Sequence, residues 1–229
     1  ALAGTIAATR LSANTTAGFS MVKYVGTGAT ATIAHGLGIT PELIIVKSLD
    51  SAEAWNVYAE PVSSDPATDY LTLNTTAAVA DDDRFWNDGV PAFSSTTFTV
   101  GSYDGTNKST DDLIAYCFHS VEGYSKIGSG TLDAGIAVGG DGTFLYTGFR
   151  PAYFMFKAYS TTMSWSIFDS KRNPYNVAGE YVTANTAATE VDGDGWDFVS
   201  NGVKQREGFA GDFIWIAFAE APFKYSNAR

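Results

Sequence analysis

The sequence predicts an all-β protein built as two tandem, similar antiparallel β-sandwich units of jelly-roll type, packed as one body. Three observations lead there. Short apolar runs rich in β-branched and aromatic residues are bounded by Gly, Pro, Asn and Asp, the punctuation of strands and turns. No stretch of ten or more residues keeps a helical period of apolar side chains. A series of marked positions in the first half also recurs, in order, in the second.

Residues 1–17, with Ser12-Ala13-Asn14-Thr15-Thr16-Ala17 ahead of the first strand, read as a linker or the end of an upstream region. The first unit is expected over 18–122. It opens at Gly18-Phe19-Ser20, and its central strand is Leu43-Ile44-Ile45-Val46, apolar enough to be buried on both faces. Ala52-Glu53-Ala54-Trp55 is too short for a helix, and Thr75 to Ala80 opens on β-branched residues that disfavour one. Phe98 and Val100 alternate on a later strand. Asp104-Gly105 predicts a tight turn, and Leu113 to Phe118 closes the unit.

The second unit is expected over 123–229. Pro41 and Lys47 recur as Pro151 and Lys157, and Trp55 recurs as Trp165, all 110 residues on. Tyr70-Leu71-Thr72-Leu73-Asn74-Thr75 answers Tyr181-Val182-Thr183-Ala184-Asn185-Thr186, while Asp112 to Phe118 answers Asp212 to Phe218 at a shorter offset, so a loop has lost length. The offset of 110 sets His35 opposite Leu145; Trp196-Asp197-Phe198 matches either Trp86 at 110 or Phe98-Thr99-Val100 at 98, and the second is preferred because it lies close to the offset of the closing strand. Positions kept in both halves read as scaffold.

Composition narrows the function. The 229 residues carry 25 Asp and Glu against 14 Lys and Arg, a net charge of −11, which argues against nucleic acid and anionic membrane as partners. No apolar run reaches the roughly 20 residues of a spanning helix. The single cysteine, Cys117, sits in an apolar strand and reads as core; the first residues lack the basic start of a secretory signal and look like an interior cut.

Catalytic patterns are sparse. His35 lies at a turn and His119 beside the closing strand, and neither falls in a nucleophile elbow or a metalloprotease helix. No cofactor is expected. Asp192, Asp194 and Asp197 offer alternating oxygen ligands on a turn, but the later ligands of a calcium loop are missing, so they are weak metal candidates. Paired carboxylates leave a polysaccharide depolymerase as a minor alternative. The better candidates for recognition have no counterpart in the second unit: Asp81, Arg84, Trp86 and Tyr103, aromatic and charged residues placed on loops, of the kind that stack on sugars and take hydroxyls.

The runs Ala13-Asn14-Thr15-Thr16-Ala17-Gly18-Phe19-Ser20, Tyr24-Val25-Gly26-Thr27-Gly28, His35-Gly36-Leu37-Gly38 and Pro41 to Lys47 resemble a domain of tailed-bacteriophage structural proteins, of the marine and cyanophage type. Later segments agree: Thr147-Gly148-Phe149-Arg150-Pro151, Asn173-Pro174-Tyr175-Asn176 and the closing Pro222-Phe223-Lys224-Tyr225. The resemblance is to the C-terminal part of tail-fibre and other virion proteins. It implies a non-enzymatic virion component, assembled in the host cytoplasm beside other virion proteins, self-associating as a homo-oligomer with a trimer favoured. It further implies adsorption to a host surface glycan or protein. The alternative is an assembly or capsid-decoration protein that binds no receptor.

Overall fold

The computed structural model describes residues 2–63, 65–193, 195–209 and 211–221. They divide between two compact units: the segment up to Asn74 with Val79–His119, and Thr75–Ala78 with the segment from Ser120 onward. Both are antiparallel β-structures, as the alternation and turn pattern predict. Asp194 and the closing run 222–225 lie outside the described residues. No helix among them is long and apolar enough to cross a membrane.

The first unit contains β1 (Ala8–Asn14), β2 (Phe19–Val25), β3 (Ala31–Ala34), β4 (Leu43–Ser48), β5 (Asn56–Ala59), β6 (Asp69–Thr72), β7 (Ala80–Asp81), β8 (Thr97–Val100) and β9 (Asp112–Phe118). Its large sheet runs β1-β2-β9-β4-β5-β6-β7, and β3 pairs with β8 in a second sheet. Alternation decides the faces. Val22 and Tyr24 of β2, Leu113, Ala115 and Cys117 of β9, and Ile44 and Val46 of β4 point into one core, which Ile33, Phe98 and Val100 of the small sheet close. Residues 8–14, expected in a linker, are instead the edge strand β1, held on β2 from Ala8↔Tyr24 to Asn14↔Phe19, and Ile6 is buried.

The second unit contains β10 (Ser125–Thr131), β11 (Phe144–Tyr146), β12 (Pro151–Ala158), β13 (Ser166–Asp169), β14 (Tyr181–Thr183), β15 (Trp196–Val199), β16 (Gly202–Gln205) and β17 (Asp212–Ala219). Its sheets run β10-β17-β12-β13-β14 and β11-β16-β15. The core is strongly aromatic: Phe154 and Phe156, Phe213 and Trp215, Phe168, Trp196 and Phe198. The order β10-β17-β12-β13-β14 has the same form as β2-β9-β4-β5-β6 of the first unit.

Side-chain devices recur with that order. Lys47 Nζ donates to the carbonyls of Ser48 (2.8 Å) and Ser51 (3.0 Å), and Lys157 Nζ donates to those of Ala158 (2.7 Å) and Thr161 (3.4 Å). The Trp55 N–H donates to Asn74 Oδ1 at 2.9 Å, and the Trp165 N–H to Asn185 Oδ1 at 3.0 Å. The pairing of His35 with Leu145 is corrected by the turns themselves. Leu145 lies in β11 opposite Val203, where Ile33 lies in β3 opposite Phe98. The part of His35 is played by Thr147. His35 Nδ1 accepts the Leu37 N–H at 3.2 Å, and Thr147 Oγ1 accepts the Phe149 N–H at 3.3 Å. Between each pair stands a glycine in the left-handed region, Gly36 at φ 72° and Gly148 at φ 85°. Trp196 likewise does not take the place of Phe98, because β8 corresponds in strand order to β16 rather than β15.

The Asp104-Gly105 turn is also different from expectation. Asp104–Asn107 makes one helical turn, α1, held by the Asn107 side chain. Its Oδ1 accepts the Thr27 N–H at 2.8 Å, and its Nδ2 donates to Ala29 O at 2.6 Å and Gly101 O at 2.7 Å.

Candidate functional site

Of the four recognition candidates, the fold brings two together, leaves one nearby in the chain and removes one. Phe85 is buried between two rings, Tyr70 at 3.7 Å and Tyr103 at 3.9 Å between centroids. The Arg84 guanidinium stands over the outer part of this stack, 5.7 Å from the Tyr103 ring centre. It is fixed there by Asp82: Nε to Oδ1 at 2.9 Å and Nη2 to Oδ2 at 2.6 Å, with the Arg84 side chain 64 % exposed. Those hydrogen bonds hold the Asp82 carboxyl below its ordinary value. Asp81 is exposed on the short strand β7, opposite Asp69. Trp86 is fully buried, edge-on to Tyr58 at 5.8 Å, so it is core and not a sugar platform. The charges flanking it made the segment read as surface, but the aromatic pair turns inward.

The titratable groups of the core serve structure. Burial pushes the Cys117 thiol up to about 12, which keeps it protonated at neutral pH. His35 is buried, with Nε2 donating to Ser94 O at 3.1 Å and Nδ1 accepting from Leu37; desolvation lowers its pKa. His119 Nδ1 lies 3.0 Å from Thr40 O and 3.9 Å from Glu42 Oε2.

A cleft that sequence reasoning missed opens in the second unit. It has a volume of about 180 Å³ and is walled by Phe156, Phe168, Tyr181, Met163 and Phe209, with Ser166 within and Asp192 and Glu207 among its lining. Phe156 and Phe168 are wholly buried; Tyr181, Met163 and Phe209 are half-buried and Asp192 is exposed. Phe168 and Tyr181 stack at 5.0 Å, and Phe209 meets Phe156 edge-on at 5.6 Å.

The acidic turn is thereby split. Asp192 faces the cleft, whereas Asp197, on β15, pairs with Arg206 Nε at 3.3 Å; Asp194 is outside the described residues. Among the described residues no three His, Cys, Asp or Glu side chains gather as a metal site would need. The only advance signal of the cleft was the loop length lost in the second half.

Fold and surfaces together define an all-β module of two sandwich units. The chain belongs to the family described as Domain of unknown function (DUF7483), which matches residues 2–222. No curated protein and no solved structure matches it.

Proposed function

We propose that the chain is a non-enzymatic structural module of a tailed-phage virion appendage, of tail-fibre type, that adsorbs to a glycan on the host surface. The observation that carries the recognition step is the Arg84 guanidinium, held by Asp82 over the Tyr103 ring and still largely exposed. An arginine fixed in this way loses little rotamer freedom when its remaining N–H groups meet sugar hydroxyls. Tyr103 and Asp82 add a phenol and a carboxylate in contact with it, and Asp81 precedes Asp82 in the chain. The virion setting rests on the resemblance of the Gly18–Ser20, Tyr24–Gly28 and Pro41–Lys47 segments to phage structural proteins. The same reading includes neighbours in the particle and self-association, with a trimer favoured.

The test is binding of the purified, labelled chain to bacterial cells, with competition by polysaccharide extracted from those cells. Saturable binding is expected, competed by the polysaccharide and largely lost in Arg84→Ala. Absence of binding across susceptible strains, or equal binding by the variant, would overturn the assignment, and release of new reducing ends would replace it with a depolymerase.

A further inference from the structure

We propose that the cleft of the second unit binds a small organic cation of the quaternary ammonium class, with its methyl groups on the aromatic walls and its charge facing Asp192 and Glu207. This goes beyond the adsorption reading and does not rest on it. Size comes first. At about 180 Å³ the cleft is of the same order as the ~150 Å³ engineered cavity that admits benzene, so one ring or one trimethylammonium group fits.

The walls select for charge carried on an apolar body. Tyr181 and Phe209, both half-buried, line the space with the buried Phe156 and Phe168 behind them, and an aromatic ring attracts a cation placed over its face within about 6 Å of its centre. Asp192 and Glu207 form no ion pair among the described residues. The cations that precede Glu207 in the chain are engaged elsewhere: Lys204 with Asp141 at 2.8 Å, and Arg206 with Asp197 and Asp141. The carboxylates are therefore left to a ligand. A neutral sugar fits less well, because among the described residues the Ser166 hydroxyl and the Tyr181 phenol are the polar side chains that line the cleft beyond those two acids. A bare divalent ion fits less well still, since it takes about six to eight oxygen ligands and the described lining offers the carboxylates of Asp192 and Glu207 beside aromatic rings.

Gly193 gives a means of closing the cleft. A Cβ added there would lie 3.8 Å from Glu207 Oε2 and 3.8 Å from Tyr181 Cε1, in ordinary contact and between the two. The Gly179 carbonyl oxygen lies at the same 3.8 Å, so a larger side chain at 193 would project among these three groups at the cleft.

The full chain is titrated by calorimetry and by ligand-observed NMR with choline, with glucosamine, and with 3,3-dimethylbutanol, the neutral isostere of choline. Choline is expected to bind saturably, weaken with salt, and lose affinity on the order of tenfold or more in the Asp192→Asn, Glu207→Gln double variant. Gly193→Leu is expected to abolish binding, with an unchanged amide NMR spectrum elsewhere showing that it folds. Equal affinity for the isostere would make the cleft an apolar pocket, tighter binding of glucosamine would make it an amino-sugar site, and choline binding that survives Gly193→Leu would place the site elsewhere. Each of these results overturns the proposal, as does the absence of saturable choline binding.

Discussion

Both units set a tyrosine on the strand after the one that carries the Trp-linked turn, Tyr70 on β6 and Tyr181 on β14, and then treat it differently. In the first unit Tyr70 is roofed. The connection over residues 73–96 supplies Phe85 and Trp86, and the connection over 101–111 supplies Tyr103 and α1, whose Gly105 carbonyl accepts Asn56 Nδ2 at 2.9 Å. In the second unit both connections are shorter, 184–201 and 206–211, and Ser166 stands on β13 where Asn56 stands on β5. Tyr181 then borders an open cleft. One strand order thus yields a closed core or a binding-sized space, according to what two loops bring to it.

The largest expected effect breaks the roof. Trp86→Ala should destabilise the first unit by about 3–5 kcal/mol, the range for a fully buried large aromatic truncated to alanine. Tyr181→Ala, at the wall of a space already open, should cost about 1–2 kcal/mol, within the usual span for a half-buried change. Urea titrations of both variants decide it. Equal losses would mean that the cleft is closed in solution and that the contrast between the units does not hold.

How much of this was legible in the sequence depended on whether a feature was local. Alternation marked Phe98 and Val100 as one buried face, and the unbroken apolar run of β4 marked a strand buried on both sides. The lysine and Trp–Asn devices were visible because the same residue types do the same work twice. His35 and Thr147 escaped notice because what is shared is a lone pair that accepts the N–H two residues on, supplied once by an imidazole and once by a hydroxyl. Of the recognition candidates, Arg84 and Tyr103 do stand together, but the burial of Trp86 depends on distant partners such as Tyr58. The cleft depends on what loops fail to cover, which no residue pattern records.

The His35–Thr147 contrast supplies the second prediction, an acid sensitivity confined to the first unit. Folding keeps the imidazole desolvated with Nδ1 engaged as an acceptor, so the folded pKa lies below its ordinary 6.5. Below that value the unfolded chain binds a proton that the folded chain resists. The stability contributed by His35 is therefore complete above 6.5 and lost as pH falls toward the folded pKa. Melting midpoints between about pH 8 and pH 5 should decline less in His35→Gln than in the parent, because histidine is the residue type whose ordinary pKa falls there and the second histidine, His119, is common to both proteins. A parallel decline in both proteins would show that His35 is not the group responsible.

The smallest effect sharpens the contrast from the surface. Arg84 lies outside the Phe85 stack, largely exposed, and ion pairs in water contribute little to folding because solvent screens them and ordering long side chains opposes them. Arg84→Gln should therefore leave the melting midpoint almost unmoved, in contrast to Trp86→Ala two residues on. Its signature should be local. With the guanidinium gone, the Asp82 carboxyl loses the hydrogen bonds that hold it down and should titrate nearer its ordinary 3.8, which carboxyl NMR can follow. The sign is fixed: the pair favours the folded state above that value and stops doing so as Asp82 takes up its proton in acid. An Asp82 titration that stays depressed in the variant would show that the backbone N–H of residue 84, 3.0 Å from Oδ1, holds the carboxylate rather than the guanidinium. The arginine would then stand over Tyr103 without the anchor that makes it a prepared recognition group.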